Sequence, residues 1–259
     1  MNTTLITGAS SGLGLHLAHR FAEKGHNLIL VARSLDKLSM LKKQILQNHS
    51  VNIELIALDL TQDGATEELT KKIPYVATLI NCAGRGNFGL TEQIPINEHI
   101  ATIKLNCEIP VKLCTHYSKE MKAKKSGTII NIVSLGGYHP LPFFNVYSAS
   151  KSFLLTFTEG LAYELKEYNV QVINLSPGGI LTDFHLKSGL PPAIAEKYEK
   201  LMQTPEQVAD ELFNCLRCKK SSWVTGRLNR IYAIVQKLLP RRWVTASAGK
   251  FYKDFMPKN

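Results

Sequence analysis

The segment Thr3-Thr4-Leu5-Ile6-Thr7-Gly8-Ala9-Ser10-Ser11-Gly12-Leu13-Gly14 decides how the rest of the chain is read. Thr3–Thr7 is a short β-branched and apolar run suited to a buried strand. It leads straight into a glycine-rich turn, and helical periodicity follows to about residue 24. A strand, a glycine turn and a helix in succession aim backbone N–H groups and the positive helix end at one place, which suits a pyrophosphate. The glycines remove Cβ atoms that would block a tight turn and a close approach. The spacing is G-x-x-x-G-x-G, which differs from the G-x-G-x-x-G fingerprint, and no G-K-[ST] follows to make a P-loop. Such a turn could merely join strand to helix, but its place at the first βα junction favours nucleotide binding. Gly8, Ser10, Ser11, Gly12, Leu13 and Gly14 are therefore candidate cofactor-binding residues.

The same alternation continues along the chain. Further strand candidates are Asn27–Val31, Asn52–Ala57, Thr78–Asn81, Thr128–Val133, Gln171–Leu175 and a short last one, Ser222–Thr225. They are rich in Ile, Leu and Val without polar alternation, as strands covered on both faces are. Helical patterns lie between them near 12–24, 34–48, 63–72, 97–124 and 147–168. This predicts an α/β fold: one doubly wound Rossmann-type domain, with a mostly parallel seven-stranded sheet and helices on both faces. Beyond Leu175 a Gly/Pro-marked loop (177–196) precedes a helix starting at Thr204-Pro205-Glu206, an N-cap followed by an N1 proline. Residues 1–227 form the catalytic and dinucleotide-binding domain in this reading, and 228–259 a basic C-terminal extension.

Composition narrows the function classes. With 259 residues, 44% hydrophobic and 20% charged, the chain has globular values. No apolar run reaches bilayer length, and the first strand begins too near Met1 to leave room for a signal peptide. Both point to a cytoplasmic protein. Cys82, Cys107, Cys114, Cys215 and Cys218 show no disulfide framework, and Cys215-Leu-Arg-Cys218 reads as two helix residues rather than a metal or redox pair. No metal cluster is expected, and His16, His19 and His26 read as surface or packing residues. From Arg217 onward there are eleven Lys/Arg and one acid, Asp254, so this segment alone accounts for the net charge of +10. No nucleic-acid motif accompanies that charge.

The end of the second strand bears on which cofactor is bound. It reads Val31-Ala32-Arg33-Ser34, with no acid before Asp36. A carboxylate there would bind a ribose 2′-hydroxyl, whereas a guanidinium can fork onto a 2′-phosphate. Arg33 thus favours NADP(H) over NAD(H), with Ser34 and Lys37 as possible helpers. Farther along, Tyr147-Ser148-Ala149-Ser150-Lys151 sets a phenol and an ammonium at i, i+4, on one helix face. A nearby ammonium favours phenolate, and such a tyrosine can exchange a proton with a carbonyl oxygen.

Taken in order, Thr7-Gly8-(x)3-Gly12-x-Gly14, Asp59-Leu60, Asn81-Cys82-Ala83-Gly84, Asn106, Ser134, Tyr147-(x)3-Lys151 and Pro177-Gly178…Thr182 resemble the short-chain dehydrogenase/reductase family. The resemblance spans essentially the whole chain. It implies that Tyr147 is the acid/base, that Ser134 bonds the substrate carbonyl, and that Lys151 binds the nicotinamide ribose and lowers the Tyr147 pKa. It also implies that Asn106 holds a relay water and that Asp59 and Leu60 contact the adenine. Asn81, Ala83 and Gly84 would line the cofactor, and Pro177, Gly178, Ile180 and Thr182 would flank the nicotinamide. The family more often has two asparagines where this chain has Asn81-Cys82, so Cys82 is a departure expected to affect sheet packing. Family members are commonly dimers or tetramers through their long helices, which implies a homodimer or homotetramer.

Substrate walls are expected from Arg85–Leu90, Gly136–Asn145 and Gly179–Gln203. These offer Phe88, Tyr138, Leu141, Phe143, Phe144, Phe184 and Leu186, with His139 and His185 as polar candidates and 183–203 as a lid. That set suits a small-molecule hydrophobic ketone or aldehyde, exchanged with its alcohol. The alternative is a non-catalytic NADP(H)-sensing or membrane-peripheral scaffold. Leu228, Ile231, Tyr232, Val235, Leu238 and Leu239 follow helical spacing, with Arg230 and Lys237 elsewhere on the helix. Packing of this stripe on the domain or a partner subunit is expected ahead of contact with an anionic membrane.

Overall fold

Seven strands form one parallel sheet in the order β3-β2-β1-β4-β5-β6-β7. They are β1 (Thr3–Thr7), β2 (Asn27–Ala32), β3 (Ile53–Ala57), β4 (Thr78–Asn81), β5 (Gly127–Ile132), β6 (Val170–Ser176) and β7 (Ser222–Val224). The computed structural model describes residues 2–256. The chain runs outward from β1 to β3, then returns to place β4 beside β1, which opens a crevice at the carboxyl ends of these two strands. The doubly wound expectation holds.

Strand residues alternate between two cores, as the pleat requires. Ile6, Leu28, Leu30, Ile130 and Ile173 point to the face covered by α1 (Gly12–Glu23), α2 (Leu35–Leu46) and the later helix Pro205–Arg217. Leu5, Ile29, Val31, Leu79 and Ile129 point to the other face. There α3 (Ala65–Lys72) supplies Leu69, α5 (Ile109–Lys124) supplies Leu113, Tyr117 and Met121, and α6 (Asn145–Leu165) supplies Leu165. A single apolar run thus serves two layers, which is why no polar alternation appears in it.

The predicted helix 97–124 is broken into α4 (Ile96–Ile103), a π-helical turn Lys104–Glu108, and α5. Pro110 has no N–H to offer the Asn106 carbonyl, so the α-helical register cannot run unbroken through this point. The loop expected over 177–196 also carries structure: α7 (Phe184–Lys187) and α8 (Pro192–Tyr198). Helix α9 (Pro205–Arg217) starts where predicted, with Thr204 and Gln207 forming a reciprocal capping box.

Beyond β7 lie α10 (Arg227–Leu238) and α11 (Arg241–Lys253). Helix α10 is the predicted one; Tyr232 of its apolar stripe packs against His139, but most of the stripe faces outward. Ala233 and Gln236 are buried, while Leu228, Ile231, Val235 and Leu238 are exposed. Close backbone approach explains the choice. A Cβ at Gly178 would sit 2.5 Å from Asn229 Nδ2, and one at Gly226 would sit 2.8 Å from it, so the small, polar side of α10 is the one that fits. Residues 257–259 of the extension lie outside the described residues.

Candidate active site

The glycine turn closes tightly on the loop after β4. Gly8 (φ +70) and Gly12 (φ +53) lie in the left-handed region. A Cβ on Gly8 would lie 2.8 Å from Ala83 Cα, and one on Gly14 would lie 2.4 Å from the Gly8 carbonyl oxygen. Thr7 fastens the same junction. Its Oγ1 accepts from the N–H of Cys82 (3.0 Å) and of Ala83 (3.1 Å). The loop after β6 crosses here too, bringing the Thr182 side chain against Gly12. Two βα turns and a third loop thus frame one crevice.

A cavity of about 840 Å³ runs from this turn across the sheet ends. Its first half is lined by Gly8, Ser10, Ser11, Gly12, Leu13 and Gly14, by Arg33, Asp59 and Leu60, and by Ala83 and Gly84. Pro177, Gly178, Ile180 and Thr182 close it from the β6 side. Arg33 is exposed at the rim just past β2. Ser34 caps α2, its Oγ accepting from Lys37 N–H at 3.4 Å. Asp59 accepts from the Thr61 N–H and hydroxyl. Burial raises its pKa, but these bonds and the nearby Arg33 and Arg85 more than offset that and hold it below the usual value.

Ser134, at the end of β5, and Tyr147 and Lys151, on the first turns of α6, meet in the middle of the cavity. Ser134 Oγ accepts from Gly136 N–H at 3.0 Å and is hydrogen-bonded to Tyr147. The Tyr147 ring stacks on Phe144 at 4.4 Å between centroids. Lys151 Nζ donates to the Ile132 carbonyl at 2.8 Å and stands 5.9 Å from the centre of the Tyr147 ring. Burial raises the Tyr147 pKa, and the Ser134 bond only partly opposes it. Burial also draws Lys151 down to about 8. Burial therefore outweighs the influences that would lower the Tyr147 pKa. Both groups are desolvated, and loss of water disfavours the charged form of each.

Two candidates do not reach the cavity. Asn81 turns into the core, where Nδ2 donates to Asn131 Oδ1 at 2.8 Å and contacts Cys114 Sγ. Asn106, on the π turn, is fully buried: Nδ2 donates to the Arg85 carbonyl and to Ser150 Oγ, and Oδ1 accepts from Arg85 N–H. Cys82 lines the cavity yet packs against the core, and burial pushes its thiol up to about 12.

The second half of the cavity is largely apolar. Of the expected walls, Leu141, Phe144 and Phe184 line it, with His139 and His185. Leu186 is exposed, Tyr138 bonds Asn174, and Phe88 and Phe143 are not among the lining residues. Tyr232, Ser247, Ala248, Phe251 and Tyr252 complete the wall from α10 and α11; the sequence pattern marked Tyr232 only as part of an apolar stripe and did not single out the other four. His139 is buried, its Nδ1 has no hydrogen-bond partner, and burial lowers its pKa, which keeps the imidazole neutral. Among the described residues no group of three or more His, Cys, Asp or Glu could hold a metal ion.

A nucleotide crevice shared with a Ser–Tyr–Lys cluster defines a dinucleotide-linked oxidoreductase class. The chain belongs to the short-chain dehydrogenase family, whose model matches residues 2–190. It is 32% identical over 235 residues to a 7beta-hydroxysteroid dehydrogenase of Mediterraneibacter gnavus, covering 87% of this chain and 86% of that one. It is 37% identical over 187 residues to a very-long-chain 3-oxoacyl-CoA reductase of Vanderwaltozyma polyspora, covering 66% of this chain and 53% of the relative. A short-chain dehydrogenase from Sphingobium yanoikuyae in complex with NADPH superposes with TM-score 0.82 at 26% identity, covering 92% of this chain and 95% of that one.

Proposed function

We propose that the protein is an NADPH-dependent reductase of a hydrophobic ketone or aldehyde, with Tyr147 as proton donor. The observation that carries this reading is the half-buried Tyr147, bonded to Ser134, between the glycine-turn residues and the apolar residues that line one cavity. The crevice suits the cofactor because its glycines leave room where any Cβ would collide, and Arg33 waits at the rim for a 2′-phosphate. Gly8–Gly14, Asp59, Leu60, Ala83, Gly84 and the Pro177–Thr182 loop would hold it. When bound it supplies the hydride to the carbonyl carbon.

The protein's own residues handle the proton. A phenol raised by burial is protonated at neutral pH, the form a reduction needs. Tyr147 Oη gives its proton to the carbonyl oxygen and takes it back in the reverse direction. Ser134 Oγ bonds the same oxygen in this reading. Lys151, when charged, stabilises the phenolate left behind. Substrate bulk is matched by Leu141, Phe144, Phe184, Phe251 and Tyr252, and His139 offers one neutral polar contact. Relatives named for a hydroxysteroid and a very-long-chain acyl-CoA support a large apolar substrate. Exposed Ile100 and Ile103 on α4 and Phe153 on α6 support a homo-oligomer formed through these helices.

The test is a panel of polycyclic ketones, long-chain 3-oxoacyl thioesters and simple aldehydes, each with NADPH and with NADH. Consumption of NADPH by bulky ketones, lost in Tyr147→Phe with NADPH binding intact, supports the reading. Retained turnover in that variant would refute it.

A further inference from the structure

Helix α10 is inverted for a helix on a globular surface. Amphipathic helices bury their apolar stripe, but here Leu228, Ile231, Ile234, Val235 and Leu238 stand 45–80% exposed. On a helical wheel these five occupy an arc of about 120°. Trp243, three residues into α11 and five after Leu238, is a further exposed apolar side chain at 58%. Apolar patches of this kind mark surfaces that take a partner or a lipid.

Charge decides which. The segment from Arg217 onward carries the whole net charge of +10. Arg227, Lys237, Arg241 and Arg242 are exposed on α10 or at its turn into α11. A second copy docked on the same patch would bring identical positive groups together. An anionic bilayer accepts both the apolar stripe and the cations.

We propose that the outward face of α10, with Trp243 and the Arg241–Arg242 pair, docks on an anionic lipid surface, the helix lying in the headgroup plane. Among the described residues no helix is long and apolar enough to cross a membrane, and what suits α10 to lying on one is its exposed apolar face beside cationic residues. The docked elements also wall the cavity, through Tyr232 of α10 and Ser247, Ala248, Phe251 and Tyr252 of α11. Docking therefore sets the apolar half of the cavity beside the bilayer, where hydrophobic ketones concentrate. That consequence rests on the carbonyl-reductase reading, and the docking does not.

The experiment is vesicle sedimentation of the full-length protein on phosphatidylcholine alone and on phosphatidylcholine with phosphatidylglycerol. Wild type should bind the anionic vesicles at least about tenfold more strongly, and added salt should weaken it. Both Ile231→Glu/Leu238→Glu and Arg241→Glu/Arg242→Glu should lose that binding while keeping wild-type circular dichroism and NADPH affinity. No binding by wild type, or equal binding by wild type and both folded variants, overturns the proposal. So does a particle mass in solution that falls in Ile231→Glu/Leu238→Glu with no vesicle binding by wild type, which would assign the patch to a second copy. NADPH turnover without vesicles judges the carbonyl reading separately.

Discussion

Asn106 grips Arg85 by both backbone groups, accepting from its N–H at 3.0 Å and donating to its carbonyl at 2.8 Å. The π turn makes this possible by lifting Asn106 out of the α-helical register, and Ser150 Oγ takes the remaining amide proton at 2.9 Å. The grip fixes Arg85, which lines the cavity together with Gly84 and Gly86.

Asn106→Ala should therefore act on stability and turnover together. It leaves the half-buried Arg85 backbone groups without their partner, which costs about 1–3 kcal/mol. Urea unfolding should show a lower midpoint with an unchanged slope, and kcat should fall more than NADPH affinity. A stability loss under about 1 kcal/mol would show that the grip is incidental.

Lys151 gives a prediction of opposite sign. An amine drawn down by burial to about 8 carries a charging penalty of roughly 3 kcal/mol at neutral pH. Lys151→Met removes that penalty and loses the bond to Ile132, worth about 1 kcal/mol. The variant should melt about 5 °C higher at pH 7 while losing turnover. Between about 8 and the unfolded value near 10.4 the unfolded chain holds a proton that the native state lacks, so wild-type stability rises with pH there. The advantage of the Met variant should shrink across that window. A variant less stable at pH 7, or a gap that ignores pH, contradicts this account.

Arg33 tests the cofactor reading. Loss of a charge-assisted fork onto a 2′-phosphate costs about 2 kcal/mol, a factor of about 30 in affinity. Arg33→Ala should raise the NADPH KM by that factor and leave the NADH KM near wild type, and Arg33→Asp should reverse the preference. An NADPH KM within about twofold of wild type would remove Arg33 from the site.

What the sequence made legible follows from locality. Thr3–Gly14 is one strand, one turn and one helix end, all adjacent in the chain, and Tyr147 and Lys151 are one helical turn apart. Asn81 was misplaced because it ends its strand, where facing the crevice or facing Asn131 is decided by the neighbouring strand. The reversal of α10 depends on Gly178 meeting Asn229, a contact across the β6–α10 gap that no local periodicity records. Phe251 and Tyr252 came to the site the same way, by the packing of α11 against Leu141, Phe144 and Leu190.

Glu211 is what holds the C-terminal wall in place, and it supplies the last prediction. Its Oε1 accepts from Gln203 Nε2 (2.9 Å) and Gly226 N–H (2.7 Å). Its Oε2 accepts from Trp223 Nε1 (2.9 Å) and Arg230 Nη2 (2.7 Å). One carboxylate therefore joins the lid end, β7 and α10. Burial raises its pKa, but the bonds from Trp223, Gly226, Gln203 and Arg230 outweigh that and hold it below its ordinary value. A depressed carboxyl contributes stability above its unfolded value near 4.3 and loses it as pH falls through the lower folded value. Glu211→Gln sets an amide against two donors and should lose about 2–3 kcal/mol at pH 7. The difference from wild type should hold above about pH 5 and close in acid. Because α11 hangs from α10, the variant should also raise the KM of a bulky ketone while NADPH affinity stays unchanged. A stability gap that persists at low pH, or an unchanged ketone KM, would separate Glu211 from the wall it is argued to hold.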